Sequence, residues 1–125
     1  MATYTGTDAN NVINGTSGGD TIRGLGGQDT LRGRAGNDII DGGAGNDALF
    51  GEDGHDQIFG RDGKDLLDGG AGNDSLNGGS ADDTLRGAGG KDTLYGDTGR
   101  DRLFGQSDDD VLFGDNGRDT LLRLC

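Results

Sequence analysis

A nine-residue period constrains this chain more than any other feature. It begins at Gly6 and runs to Leu122 without insertion or deletion, thirteen rows in all. Every row opens on glycine, from Gly6, Gly15 and Gly24 through to Gly114. The fourth position is glycine too, apart from Ala9, Ala81 and Asp108. Position six is aspartate in every row except the first, where Asn11 stands, and position eight is always Ile or Leu, from Ile13 to Leu121. A fixed period of this length marks a stacked architecture in which no single unit buries its apolar residue alone.

The residue types suggest the local form of each row. Six glycine-rich residues make a turn, and the last three make a short strand whose middle side chain points inward. Glycines at positions one and four are expected to supply backbone with positive φ, which other residues reach at a cost. Two rows per coil set two strands back to back, and an 18-residue coil then repeats about every 4.8 Å, the spacing of neighbouring strands. The expected fold is all-β, a parallel β-solenoid of about 6.5–7 coils. Residues 1–5 are read as an N-terminal capping strand with Tyr4 inward, residues 6–122 as the array and residues 123–125 as a tail. Leu122 and Leu124 are expected to cover the last coil.

Composition shows why such a stack needs help. With 29% hydrophobic residues, no Trp and 29 glycines, the chain cannot build an ordinary layered core, and glycine raises the entropy lost on ordering. The net charge of −12 indicates what supplies the help. Twelve of the 23 acidic residues occupy position six: Asp20, Asp29, Asp38, Asp47, Asp56, Asp65, Asp74, Asp83, Asp92, Asp101, Asp110 and Asp119. The remaining acidic residues equal the 11 Lys and Arg in number, so the whole excess belongs to these aspartates. A general solubilising charge would not be so confined. In the two-row coil they form two columns with neighbours near 5 Å, where like charges repel by about 1 kcal/mol in water and more when partly buried.

A hard divalent cation between successive turns reverses that repulsion. Calcium takes six to eight oxygens, including backbone carbonyls, in flexible geometry, whereas magnesium demands a tighter octahedron. Zinc prefers nitrogen and sulfur, and the chain has one His and one Cys. The residues therefore point to calcium. The same acidity argues against nucleic acid and anionic membranes as partners, and no apolar run is long enough to span a bilayer.

Gly42–Phe50 (Gly-Gly-Ala-Gly-Asn-Asp-Ala-Leu-Phe) and Gly69–Asn77 (Gly-Gly-Ala-Gly-Asn-Asp-Ser-Leu-Asn) follow Gly-Gly-x-Gly-x-Asp-x-U-x throughout, U being a large apolar residue. The other rows depart from it by one or a few residues. In this the array resembles the RTX (repeats-in-toxin) calcium-binding repeats over residues 6–122. The resemblance implies a right-handed parallel β-roll with calcium between turns on the same side. It implies as ligands the position-six residues, Asn11 and the twelve aspartates above, each interior one shared by two ions. It adds backbone carbonyls of turn residues such as Gly33, Gly36, Gly42, Gly43, Gly45, Gly51, Gly54, Gly60, Gly63, Gly69, Gly70 and Gly72. Thirteen turns paired two rows apart give at most about 11 ions. The site joining Asn11 to Asp29 is expected to be the weakest, and those using the turns of Ala81 and Asp108 to be impaired, because non-glycine residues resist positive φ.

The resemblance further implies a secreted, extracellular setting, with the array acting as a calcium-triggered folding or scaffold module of a toxin, protease, lipase or adhesin. A toxin-like or adhesive effector is the alternative. Met1–Thr5 carries no basic or apolar leader, and the array runs nearly to residue 125, so neither a signal peptide nor a C-terminal secretion segment is expected within this sequence. An enzyme is not expected: His55 and Asp56 are adjacent, but His55 occupies a variable position and no insertion builds a pocket. Phe50, Phe59, Tyr95, Phe104 and Phe113 fall at outward positions, where they offer a surface for a second copy or a protein partner. Ice binding through the position-seven threonines Thr21, Thr30, Thr84, Thr93 and Thr120 is disfavoured, since Ile39, Gln57, Leu66 and Arg102 interrupt the ranks. Cys125, the only cysteine, excludes an internal disulfide and reads as a free thiol.

Overall fold

A computed structural model describes residues 1–123, which form strands and turns with no helix among them. Leu124 and Cys125, with the readings attached to them, lie outside the described residues. The strands are β1 (Ala2–Thr5), β2 (Val12–Asn14), β3 (Asp20–Arg23), β4 (Thr30–Ala35), β5 (Ile39–Ala44), β6 (Ala48–Asp53) and β7 (Gln57–Asp62). They continue as β8 (Leu66–Ala71), β9 (Ser75–Ser80), β10 (Thr84–Gly89), β11 (Thr93–Thr98), β12 (Arg102–Gln106), β13 (Val111–Phe113) and β14 (Thr120–Leu122).

Odd-numbered strands form one seven-stranded sheet in the order β1-β3-β5-β7-β9-β11-β13, and even-numbered strands form the other. All pairing is parallel, and each residue meets the one 18 positions on: Leu31 pairs with Leu49, and Leu49 with Leu67. Two nonapeptides therefore make one coil, and the chain winds a β-solenoid of about seven turns. Between the sheets lies a single file of position-eight side chains. Ile22, Leu31, Ile40, Leu49, Ile58, Leu67, Leu76, Leu85, Leu94 and Leu103 are all fully buried, while Tyr4, Ile13 and Leu112 pack against them from the ends.

Three expectations need correction. The strands of the central coils span six residues, not three, because pairing continues into the next row: Arg34 faces Glu52, and Ala35 faces Asp53. Positive φ falls at positions two and four rather than one and four. In the row of Gly42, Gly43 (φ 92) and Gly45 (φ 110) take it while Gly42 does not. Position one is glycine for another reason, the lack of room for a Cβ. The last coil is also more open than expected, since Leu121 and Leu122 are both exposed. Leu122 sits at an outward strand position, where alternation turns it away from the core.

Candidate metal centre

Each position-six aspartate lies just before a strand, or in the case of Asp20 opens one, at the point where the turn closes back on the sheet. Eleven of them, Asp20 to Asp110, are buried. One carboxylate oxygen is committed to the stack: Oδ1 of each accepts a hydrogen bond from the amide of the position-six residue one coil earlier. The Asp29 amide donates to Asp47, Asp47 to Asp65, and Asp65 to Asp83, each at 2.8 Å. Asp38, Asp56 and Asp74 repeat the pattern on the other side. The carboxylates thus stand in two columns, held at coil spacing by backbone.

The second oxygen has no partner. Oδ2 of Asp29, Asp38, Asp47, Asp56, Asp65, Asp74, Asp83, Asp92, Asp101 and Asp110 is buried and accepts no hydrogen bond. Leaving a buried acceptor unsatisfied costs about 1–3 kcal/mol, more when it is charged, so ten such oxygens in register require an explanation. Their surroundings supply one. A Cβ built on Gly42 would lie 2.6 Å from Asp47 Oδ2 and 3.0 Å from the carbonyl oxygen of Gly60 in the next coil. The position-one glycine therefore leaves open a cradle in which a carboxylate oxygen and a carbonyl oxygen converge. At position four, carbonyls of one turn face the turn above: Gly27 toward Gly45, Gly36 toward Gly54, Gly45 toward Gly63. Among the described residues these position-four carbonyls accept none of the backbone hydrogen bonds that tie the turns together.

Burial, opposed by the backbone amide and aided by the neighbouring aspartates, drives these carboxylates toward the protonated form. Asp65 is pushed up to about 8, Asp56, Asp83 and Asp92 to about 7, and Asp47, Asp74 and Asp101 to about 6. Asp38 is raised for the same reason. Among the described residues no three His, Cys, Asp or Glu side chains converge, so a cation here relies on backbone for much of its shell. Oxygen-only donors, mixed from carboxylate and carbonyl, fit calcium.

Not every position-six residue shares this setting. Asn11 is turned into its own row, its Oδ1 accepting from the Thr7 amide at 2.7 Å. Asp20 Oδ2 accepts from the Thr16 amide at 2.6 Å and lies 3.0 Å from the Thr16 hydroxyl. Those bonds, the amide first, hold its carboxyl below the usual range. Asp119, in the last coil, accepts the Asp101 amide at 2.9 Å but is only half-buried. Ala81 (φ 78) and Asp108 (φ 76) do take the left-handed backbone their turns require.

Position five has a role that sequence reasoning missed. Its side chain accepts the amide of the position-five residue one coil on: His55 N to Asn37 Oδ1 and Asn73 N to His55 Nδ1 at 2.9 Å, with Asn46 and Lys64 alike at 2.8 Å. The recurrence of Asn at this position was the available signal. His55 is thereby a rung in a ladder, its Nδ1 committed to the Asn73 amide.

A family model described as the RTX calcium-binding nonapeptide repeat matches residues 5–40, 24–58, 32–67, 59–94 and 86–121. The chain belongs to this family. Comparison with curated proteins gave no match. As an RTX repeat array it is a calcium-binding module, and the family itself is a structural, non-catalytic repeat typical of secreted bacterial proteins. No helix among the described residues is long and apolar enough to cross a membrane. The outward aromatics of the RTX array are not gathered into one patch. Arg32 lies 5.3 Å over Phe50, Arg61 lies 4.9 Å over Phe59, and Tyr95 stacks on Phe113 at 5.1 Å.

Proposed function

We propose that this array is a calcium-triggered folding and scaffold module of a secreted bacterial protein, with no catalytic role of its own. The observation that supports this reading is the set of ten buried Oδ2 atoms without partners. At about 1–3 kcal/mol each, their combined cost of about 10–30 kcal/mol is as large as or larger than the roughly 5–15 kcal/mol by which a domain of this size is normally stable. Above the range in which acid neutralises the columns, the fold is therefore expected to form only when a cation takes those oxygens, and calcium affinity then appears as folding free energy.

The ligands in this reading are the aspartates from Asp29 to Asp119, with position-one and position-four carbonyls such as Gly42, Gly45, Gly60 and Gly63 completing each shell. Calcium would supply the positive charge that lets neighbouring carboxylates within each column stand one coil apart. Low cytosolic calcium would leave the chain extended for export, and the calcium outside would fold it there, alongside whatever toxin, protease, lipase or adhesin it serves. Circular dichroism at pH 8 with EGTA and then with millimolar calcium tests this: strand signal is expected only with calcium. Equal strand content in both conditions would sink the proposal.

A further inference from the structure

One edge of the even-numbered sheet carries a cluster that the calcium lattice does not use. Lys64, Asp82, Arg100 and Arg118 follow one another at position five, one coil apart, and Thr84, Arg102 and Thr120 do so at position seven. These residues line an open cleft of about 440 Å³ floored by Asp83 and Asp101. Four of the chain's 11 Lys and Arg residues converge there. The matching edge of the other sheet, from Asn37 and Ile39 to Asp109 and Val111, carries a single cation, Lys91.

The cluster comes at a structural cost. Position five normally accepts the next coil's amide, as Asn46 does for Lys64 and Asp82 for Arg100. Lysine and arginine cannot accept, so Lys64 and Arg100 each leave the ladder one rung short. Nor do these cations balance surface acids: among the described residues the one ion pair is Arg61 with Asp41. Asp82 offers a single free oxygen, its Oδ1 being taken by the Arg100 amide at 2.9 Å. Asp83 and Asp101 are buried beneath, with Oδ1 bonded to the Asp65 and Asp83 amides. Once calcium holds their remaining oxygens, the cleft presents four cations against one exposed carboxylate, an electropositive island on a chain of net charge −12.

We propose that this cleft binds an acidic sugar, a saccharide unit bearing a carboxylate. Lys64, Arg100, Arg102 and Arg118 take the charged group, arginine favouring the planar two-oxygen face of a carboxylate. The Thr84 and Thr120 hydroxyls and Asp82 Oδ2 take the sugar hydroxyls. An acceptor carboxylate among the cations disfavours a bare inorganic anion and favours a ligand that also donates hydrogen bonds. The cleft opens along the stack, so successive sugar units of a chain can lie on successive coils. This proposal rests on the calcium reading only through the neutralisation of Asp83 and Asp101.

The test uses the full chain in millimolar calcium, with its strand signal checked first. Isothermal titration with a glucuronate-containing tetrasaccharide is expected to show binding, with none for the same sugar reduced to the neutral alcohol. The double variant Arg100→Gln/Arg102→Gln, keeping its strand signal, is expected to bind at least tenfold more weakly. Unchanged binding in that variant, equal binding of the neutral sugar, or sodium sulfate competing as well as the tetrasaccharide would overturn the acidic-sugar site. No binding by a chain with full strand signal would overturn it while leaving the calcium reading intact. Absence of the strand signal in calcium would overturn the calcium reading itself and, with it, a cleft that exists only in the folded array.

Discussion

The second turn and the fifth carry the same aspartate in different company. In the second, Thr16 at position two gives amide and hydroxyl to Asp20, and its hydroxyl also accepts from the Gly18 amide at 3.2 Å. In the fifth, position two is Gly43 at φ 92, there is no hydroxyl, and Asp47 Oδ2 is left alone. The first turn repeats the second, with Thr7 bonded to Asn11 and accepting from Ala9. From the third turn to the last, position two is never Ser or Thr and always has positive φ, whether it is Leu25, Glu52 or Gln106. A β-branched residue resists that backbone. One side chain thus decides whether a turn hydrogen-bonds its own position-six side chain, as the first two turns do, or leaves its carboxylate oxygen without a partner; in the proposed reading the first kind of turn is sealed and the second open to a cation.

The sharpest way to break this comparison is to remove one charge from each kind of turn. Asp65→Asn keeps a side-chain acceptor for the Asp47 amide but takes a charge from two shared sites. With calcium at about 100 times the dissociation constant, each lost site removes about 2.7 kcal/mol, roughly 5 kcal/mol for the two. Asp20→Asn exchanges a charged hydrogen bond for a neutral one and is expected to cost much less. Urea midpoints at fixed millimolar calcium measure both, and bound calcium counted on the same samples should fall for Asp65→Asn only. Equal losses would show that the threonine does not seal its turn.

The stack itself was legible from the sequence because period, strand alternation and one apolar position per row all demand the same pairing at 18 residues. Leu49 between Leu31 and Leu67 needed no coordinates to foresee. What escaped was set by contacts rather than by types. Glycine at position one looked like a residue chosen for its backbone freedom, yet Gly42 is there because Asp47 Oδ2 and the Gly60 carbonyl occupy the place of its Cβ. Asp20 looked equivalent to Asp47 because the distinction lies in Thr16, four residues earlier, acting through turn type. The cleft of Lys64, Arg100 and Arg118 looks like scattered charge until every second row is laid on one side.

A Cβ sharpens the comparison at lower cost. Gly42→Ala drives a methyl into the cradle between Asp47 Oδ2 and the Gly60 carbonyl, one of them backbone that cannot step aside. Overpacking of this kind costs about 1–3 kcal/mol and here also blocks a site. Gly18→Ala, in the sealed second turn, meets nothing nearer than the Thr16 hydroxyl at 3.9 Å and does not sit at positive φ. It is expected to be neutral or slightly stabilising, since alanine has less entropy to lose. Calcium titrations followed by strand signal separate the two, with a raised midpoint for Gly42→Ala alone. Similar midpoints would mean that the cradle is not where the cation sits.

Acid should act on the two kinds of turn in opposite directions. In the open turns the folded chain holds protons that the unfolded chain has released above its ordinary carboxylate value of 3.8, since Asp65 is pushed up to about 8 and Asp56, Asp83 and Asp92 to about 7. Stability falls with rising pH wherever the folded state binds more protons. The calcium-free fold therefore weakens as pH climbs from about 4 to about 8, and it recovers when acid neutralises the columns. Asp20, held below its ordinary value by Thr16, has the reverse sign and gives up its contribution only when pH drops below the usual carboxylate range. In calcium-depleted buffer, partial strand signal is accordingly expected at pH 5 and less at pH 8. Protons would then stand in, weakly, for the missing cation by removing the charge that calcium balances. More strand signal at pH 8 than at pH 5 would mean that the carboxylates are held ionised in the fold by something other than calcium, and that the open turns are sealed after all.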